Sequence, residues 1–262
     1  MKLALLQLAS PPEEPVPARI ERVRERLRKL RGADLIVLPE LWAPGYFAFG
    51  SYTELAEPAH GALSAFGAEM ARELGTHLHL GSVLERDERG RLYNTALLFG
   101  PDGTRLHSYR KTHVFGYQSK EAQLLTPGDA VSVAETGFGR IAATTCYDLR
   151  FPALWERLTE LGAELVVVPA AWPAVRLEHW RLFTSARAVE GQFLVLACNA
   201  AGTQQGGVRL AGHSRIVGPD GALLAEAGAE ESELHAEFEP DAVAAYRKEF
   251  PVLADRRPIA AD

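Results

Sequence analysis

The chain has 262 residues, 47% hydrophobic and 24% charged, an ordinary composition for a folded protein with a substantial core. At this size about three quarters of the unfolded surface can be buried, so neither disulfides nor a structural metal is needed to hold it. A formal net charge of −6 argues against a nucleic-acid partner, and no run approaches the ~20 apolar residues of a membrane span.

The apolar run at 2–9 reads as a strand, and the proline-rich SPPEEPVP after it reads as a loop. A secretory leader would have a longer apolar core and a small-residue cleavage site, so a cytoplasmic location is expected. In that reducing compartment the two cysteines, Cys146 and Cys198, are expected to be free thiols. Positions 18–31 (RIERVRERLRKLR at their heart) place Ile20, Val23, Leu27 and Leu30 at helical spacing among alternating charges. That is an amphipathic helix with a solvated outer face, not a phosphate-binding patch. A strand is expected at 34–39, a loop around 43–46, and a helix at 64–74. Strands follow at 76–85, 92–99 and 105–110, separated by Arg89-Gly90 and Pro101-Asp102-Gly103 turns.

After an irregular section, a strand at 140–146 leads to a helix at 152–161, a strand at 164–169, a helix at 177–190 and a strand at 193–199. A hairpin is expected from 213–217 and 222–226 around Gly218-Pro219-Asp220-Gly221. Strands alternating with helices, plus hairpins, imply an α/β layered fold with mixed sheets. No repeat or linker divides the chain, so residues 1–262 read as a single domain.

Three chemically capable residues close apolar runs: Glu40 after DLIVLP, Lys111 after LHSYR and Cys146 after RIAATT. Ligands of open α/β sheets collect outside the carboxyl ends of strands, although many strands also end in a charge simply because the chain is leaving the core. Cys146 sits where the chain turns toward a helix, a position that exposes a nucleophile and brings backbone N–H groups near it. A helix N-terminus there would lower the thiol pKa. Cys198, inside FLVLACNA, reads instead as a small buried hydrophobe. His113 and His179 keep a Cys–His hydrolase open, and His77 with His79 would begin a metal site only if a third ligand joined them. Arg187 and Glu190 read as a helix-face ion pair, and His213 as a loop brace. No Gly-rich phosphate loop is present, so no nucleotide cofactor is expected.

Around these residues run LIVLPELWAPGY, YRKTHVFG and TTCYDLRFPALW, with GRLYNTALLFGPDG, ELVVVPAAWP, HWRLFTSARAVEGQ and GHSRIVGPDG between and after them. Along nearly its whole length the chain resembles the nitrilase superfamily of carbon–nitrogen hydrolases. The resemblance implies a four-layer α-β-β-α sandwich with two mixed sheets, no metal or other cofactor, and pairing of subunits into a homodimer or higher homo-oligomer. It also implies Glu40 as general base, Lys111 as the cationic member and Cys146 as nucleophile. Glu121, in SKEAQLLTPGD, stands where the family often has a second glutamate.

Within the superfamily, CYDLRFP and the AAWP…HWR…ARAVEGQ segment look most like the ω-amidase branch, whose members hydrolyse the terminal amide of short 2-oxo acid amides such as 2-oxoglutaramate. The rivals are a deaminated glutathione amidase, an N-carbamoyl amino acid hydrolase, a nitrilase and a non-catalytic scaffold. An ω-amide substrate carries a far carboxylate that needs a cation or N–H donors. Arg150 and Arg176 are the candidates, and Tyr46, Phe115 and Trp172 could form an apolar wall, with a backbone N–H near Tyr147 receiving the oxyanion. The alternatives are an Arg150 that braces the nucleophile turn through Asp148, and aromatics that belong to the core.

Overall fold

The computed structural model describes residues 1–117 and 119–257. In chain order the elements are β1 (Lys2–Gln7), α1 (Val16–Lys29), β2 (Leu35–Val37), α2 (Tyr52–Leu55), α3 (Ala62–Leu74), β3 (His77–Arg86), β4 (Leu92–Phe99), β5 (Arg105–Arg110) and α4 (Glu121–Leu124). Then come β6 (Ala134–Thr136), β7 (Gly139–Ala143), α5 (Pro152–Glu160), β8 (Leu165–Ala170), α6 (Leu177–Gly191), β9 (Leu194–Asn199), β10 (Arg215–Val217), β11 (Leu223–Glu226), β12 (Ser232–Glu237) and α7 (Ala242–Glu249).

Two six-stranded sheets result, ordered β12-β1-β2-β3-β4-β5 and β11-β10-β9-β8-β7-β6. Each has a parallel centre, β1-β2-β3 in one and β7-β8-β9 in the other, flanked by antiparallel strands. The alternation of side chains along each strand explains why the central strands are apolar throughout. In β1, Ala4 and Leu6 pack outward with Val23 and Leu27 of α1 and with Phe66 and Met70 of α3. Leu3 and Leu5 face the other way and meet Leu165, Leu194, Leu196 and Ile216 of the second sheet. In the second sheet Val166, Val168 and Val195 face outward toward Trp155 and Leu158 of α5 and Trp180 and Ala188 of α6. The layers are therefore α-β-β-α, as the resemblance implied.

Most expected elements are present within a few residues. Strands β4 and β5 fall on the expected bounds, whereas the apolar run ending at Cys146 stops being strand at Ala143 and closes as a 3₁₀ turn, Cys146–Arg150. β6, β12, α2, α4 and α7 went unread. The arginines of α1 are less solvated than expected, because Arg24 and Arg28 pair with Glu69 and Glu73 of α3, and Arg22 and Arg26 with Glu231 beyond β11.

Candidate active site

Glu40, Lys111, Glu121 and Cys146 come from four separate segments, and all are buried. Two glycines let the first two arrive. A Cβ on Gly81 would stand 2.0 Å from the Pro39 carbonyl oxygen, so only glycine lets β3 pass beneath the segment that carries Glu40. A Cβ on Gly128 would stand 2.1 Å from the Arg110 carbonyl oxygen, and the Gly128 N–H donates to the Lys111 carbonyl at 2.8 Å. Leu41 and Cys146 have φ of 44° and 47°, a region costly for side chains with a Cβ and held here by surrounding contacts.

The Lys111 Nζ donates to Glu40 Oε1 at 2.8 Å and reaches both oxygens of Glu121 at 2.9 and 3.1 Å. Glu121 also accepts from the Tyr46 hydroxyl at 3.1 Å, the Phe115 N–H at 2.5 Å and, more loosely, Asn94 Nδ2 at 3.4 Å. With both oxygens engaged by these donors, Glu121 is held in place and has no free edge to offer the thiol. Glu40 has a different environment. Its Oε1 accepts from Lys111 and from Asn94 Nδ2 at 2.7 Å, and its Oε2 accepts from the Ala171 N–H at 2.9 Å. The Cys146 thiol lies near enough to this same carboxyl group for each to shift the other's proton affinity.

Burial raises the Glu40 pKa above the ordinary glutamate value; the Lys111 charge opposes burial, and the Glu121 charge adds to it. Burial alone would strip the proton from Lys111, but Glu121 and Glu40 override it and hold the ammonium well above the usual lysine value. Burial, then the charge on Glu40, also push the Cys146 thiol well above the ordinary cysteine range. This corrects the expectation of a lowered thiol pKa: the five-residue 3₁₀ turn supplies too little positive end to offset desolvation. The resting sulfur is a thiol, so nucleophilic attack requires a base in contact with it.

Asp148 locks the turn that carries Cys146. Fully buried, it accepts from the Tyr109 hydroxyl at 2.7 Å, the His113 N–H at 3.0 Å, His113 Nδ1 at 2.7 Å and the Thr145 N–H at 2.9 Å. His113 also stacks on Phe151, with centroids 3.7 Å apart, so its ring braces the turn and is not disposed as a base. His179 instead lies beside the Arg150 guanidinium at 3.2 Å. Arg187 forms the expected ion pair with Glu190, at 2.5 Å, but it is itself buried and also clamps the Leu149 carbonyl through two nitrogens at 3.0 and 2.9 Å. Cys198 lies in the core, its thiol directed at the Val37 carbonyl at 3.3 Å.

Above Cys146 opens a cavity of about 190 Å³, lined by Tyr46, Phe115, Tyr147, Arg150, Trp172 and Arg176, with Phe47, Tyr117 and Val175 among its other walls. That is smaller than the roughly 300–1,000 Å³ of sites for drug-sized ligands and suits a metabolite of few atoms. Arg150 does not brace Asp148. Its guanidinium packs over Trp172 at 4.8 Å and Phe183 at 5.2 Å. Among the described residues neither Arg150 nor Arg176 has a carboxylate within ion-pair distance, and the Tyr147 amide meets no acceptor. Asn94 and Ala171, which hold Glu40, went unnoticed in the sequence, although a lone amide in the apolar strand LYNTALLF was a signal for the first.

The carbon–nitrogen hydrolase family model matches residues 2–248. The chain is 38% identical to the 2-oxoglutaramate amidase of Paenarthrobacter nicotinovorans, over 98% of this chain and 90% of the relative. It is 34% identical to the human omega-amidase NIT2, over 98% and 94%. The structure of XC1258 from Xanthomonas campestris, a CN-hydrolase superfamily protein with an arsenic adduct in its active site, superposes with a TM-score of 0.90 at 28% identity, covering 100% of this chain and 99% of that one. Sheet order, the gathering of three distant motifs and similarity over the full length agree: the chain belongs to the carbon–nitrogen hydrolase family and is a hydrolase of amide carbon–nitrogen bonds.

Proposed function

We propose that the protein is a thiol-dependent amidase that hydrolyses the terminal amide of a small 2-oxo dicarboxylic acid monoamide, of the 2-oxoglutaramate kind, to the acid and ammonia. The observation that carries this reading is one small cavity with a thiol at its floor and two guanidiniums, Arg150 and Arg176, unneutralised among the described residues of its walls. A substrate with an amide at one end and a carboxylate at the other satisfies both. The names of the relatives at 38% and 34% identity support the same substrate class.

In this mechanism Glu40 Oε2 takes the thiol proton as the Cys146 sulfur attacks the amide carbon. The oxyanion is received by the Tyr147 N–H and by the Lys111 ammonium, whose third proton is available when one proton serves both Glu121 oxygens and another serves Glu40. Protonated Glu40 then gives its proton to the departing nitrogen, which leaves as ammonia, and a thioester remains on Cys146. Water, deprotonated by Glu40, attacks the thioester; collapse returns the thiol and releases the carboxylic acid. Glu121 holds Lys111 charged and, with Tyr46, fixes where it points.

The same reading treats 1–262 as a single domain working in the cytoplasm as a homo-oligomer. Exposed Leu182 and Val189 of α6 and Leu223 and Leu224 of β11 support a subunit contact on that side.

Ammonia release from 2-oxoglutaramate, 2-oxosuccinamate, glutamine, simple nitriles and N-carbamoyl amino acids tests the reading. The oxo-amides should lead the panel by a wide margin. Turnover led by a nitrile or carbamoyl substrate would move the protein to a rival activity, and silence across the panel would favour a scaffold. Iodoacetamide should abolish ammonia release in step with alkylation of Cys146; loss that tracks Cys198 would reject the nucleophile.

A further inference from the structure

Asn94 is buried in β4 and touches Glu40, Glu121 and the Lys111 backbone. Its Nδ2 donates to Glu40 Oε1 at 2.7 Å and leans toward Glu121 Oε1 at 3.4 Å, while its backbone carbonyl accepts the Lys111 N–H at 2.8 Å. Its Oδ1 is buried and meets no donor among the described residues, so the amide's orientation is set by the carboxylates it serves.

We propose that Asn94 is a positioning residue for the hydrolysis: it fixes the Glu40 carboxyl plane so that Oε2, and not Oε1, exchanges the proton with the Cys146 thiol. The proposal rests on Glu40 acting as the base. Lys111 and Asn94 both occupy Oε1, and the Ala171 N–H enters at Oε2 from the other side. With Oε1 saturated by two donors, the proton taken from sulfur resides on Oε2, and from there it passes to the departing nitrogen. No atom is added or lost in this transfer; the O–H bond that forms on Oε2 is the one that breaks when ammonia leaves.

The residue type also fits. A lysine or arginine at this position would add a second cation and pull Glu40 far down in basicity, whereas an acid would crowd a third carboxylate against Glu40 and Glu121. An amide donates without adding charge. The other groups facing Glu40 are Lys111, Glu121 and Cys146, with the Tyr46 and Tyr52 hydroxyls beyond them.

The test is Asn94→Leu, which keeps nearly the same volume but has no donor, assayed on 2-oxoglutaramate across pH with thermal unfolding as the fold control. Loss of a hydrogen bond to a carboxylate should lower kcat roughly ten- to a hundredfold with KM little changed. The acid limb of the kcat profile should move up by about one pH unit, because the donor favoured the ionised base. If the leucine variant does not fold, Asn94→Ser, whose hydroxyl is too short to reach Glu40, is read the same way. A folded variant with wild-type kcat and an unmoved acid limb overturns the proposal. A simple packing role would lower the melting temperature without shifting that limb, and this also overturns it. Glu40→Gln separates the two layers: if it stays active the base assignment fails, and if it is dead while Asn94 variants behave as wild type, only the positioning role fails.

Discussion

Asp148 accepts hydrogen bonds from both the backbone N–H and the ring Nδ1 of His113, at 3.0 and 2.7 Å. His113 lies two residues after Lys111, and Asp148 two residues after Cys146, so this pair bolts the segment bearing the ammonium to the turn bearing the thiol. Asp148→Asn leaves one acceptor oxygen where the carboxylate serves Tyr109, His113 and Thr145. It should destabilise the fold by about 3 kcal/mol, from buried donors left unpaired, and lower kcat more than it changes KM. Urea unfolding and steady-state kinetics check both; an unchanged midpoint would mean that the bolt is slack.

Glu121→Gln should have an effect opposite in sign to that of the Asn94 variants. The charge on Glu121 raises the Glu40 pKa and, with Glu40, holds Lys111 protonated. Without it, Glu40 becomes the sole counter-ion of Lys111 and a weaker base. The acid limb of kcat should move to lower pH while kcat falls about a hundredfold, the usual scale of losing an acid–base or oxyanion contribution. A pH series of initial rates reads the direction.

Arg150→Met should raise KM for 2-oxoglutaramate roughly ten- to a hundredfold, by loss of a charge-assisted contact to the far carboxylate, and should barely change KM for a neutral short-chain amide. Equal losses on both substrates would show that Arg150 packs against Trp172 without recognising charge.

His79 gives a stability prediction that is independent of the active site. It is buried in β3, with Nε2 unpartnered among the described residues, and burial with a smaller contribution from His107 drives its pKa from 6.5 down to about 3. The folded protein therefore keeps His79 neutral while the unfolded chain binds a proton below 6.5. Stability from this group is complete above that pH, falls as pH drops toward about 3, and is level below it. The total loss is on the order of a few kcal/mol. A neutral replacement, His79→Leu, should flatten this slope between pH 6 and 4, to about the degree that one proton accounts for; a slope equal to that of the wild type would contradict it.

The sequence shows its layers where burial repeats along the chain, and hides them where pairing decides. β4 and β5 are bounded by turn residues that punctuate their apolar runs, so both ends could be read. β12 (SELHAE) is charged and half-exposed, and becomes a strand because β1, at the other end of the chain, offers it an edge. The site divides in the same way. Glu40, Lys111 and Cys146 stand out as polar residues ending apolar runs, and Glu121 follows from the resemblance. Asn94 and the Ala171 N–H act through positions fixed by β4 and by the end of β8, which no local pattern announces. The direction of the Cys146 pKa shift was missed for a related reason: turn geometry is local, whereas desolvation depends on the whole surrounding structure.

The most direct measurement is the kcat of Glu40→Gln on 2-oxoglutaramate, taken with its melting temperature. Glutamine keeps the shape of the side chain and a hydrogen-bonding oxygen but cannot accept the proton of a thiol that rests fully protonated. Glu40→Gln should give a folded protein whose kcat is lower by about a thousandfold or more. A folded Glu40→Gln enzyme that releases ammonia at the wild-type rate would contradict it, because Cys146 would then be giving its proton to some other group.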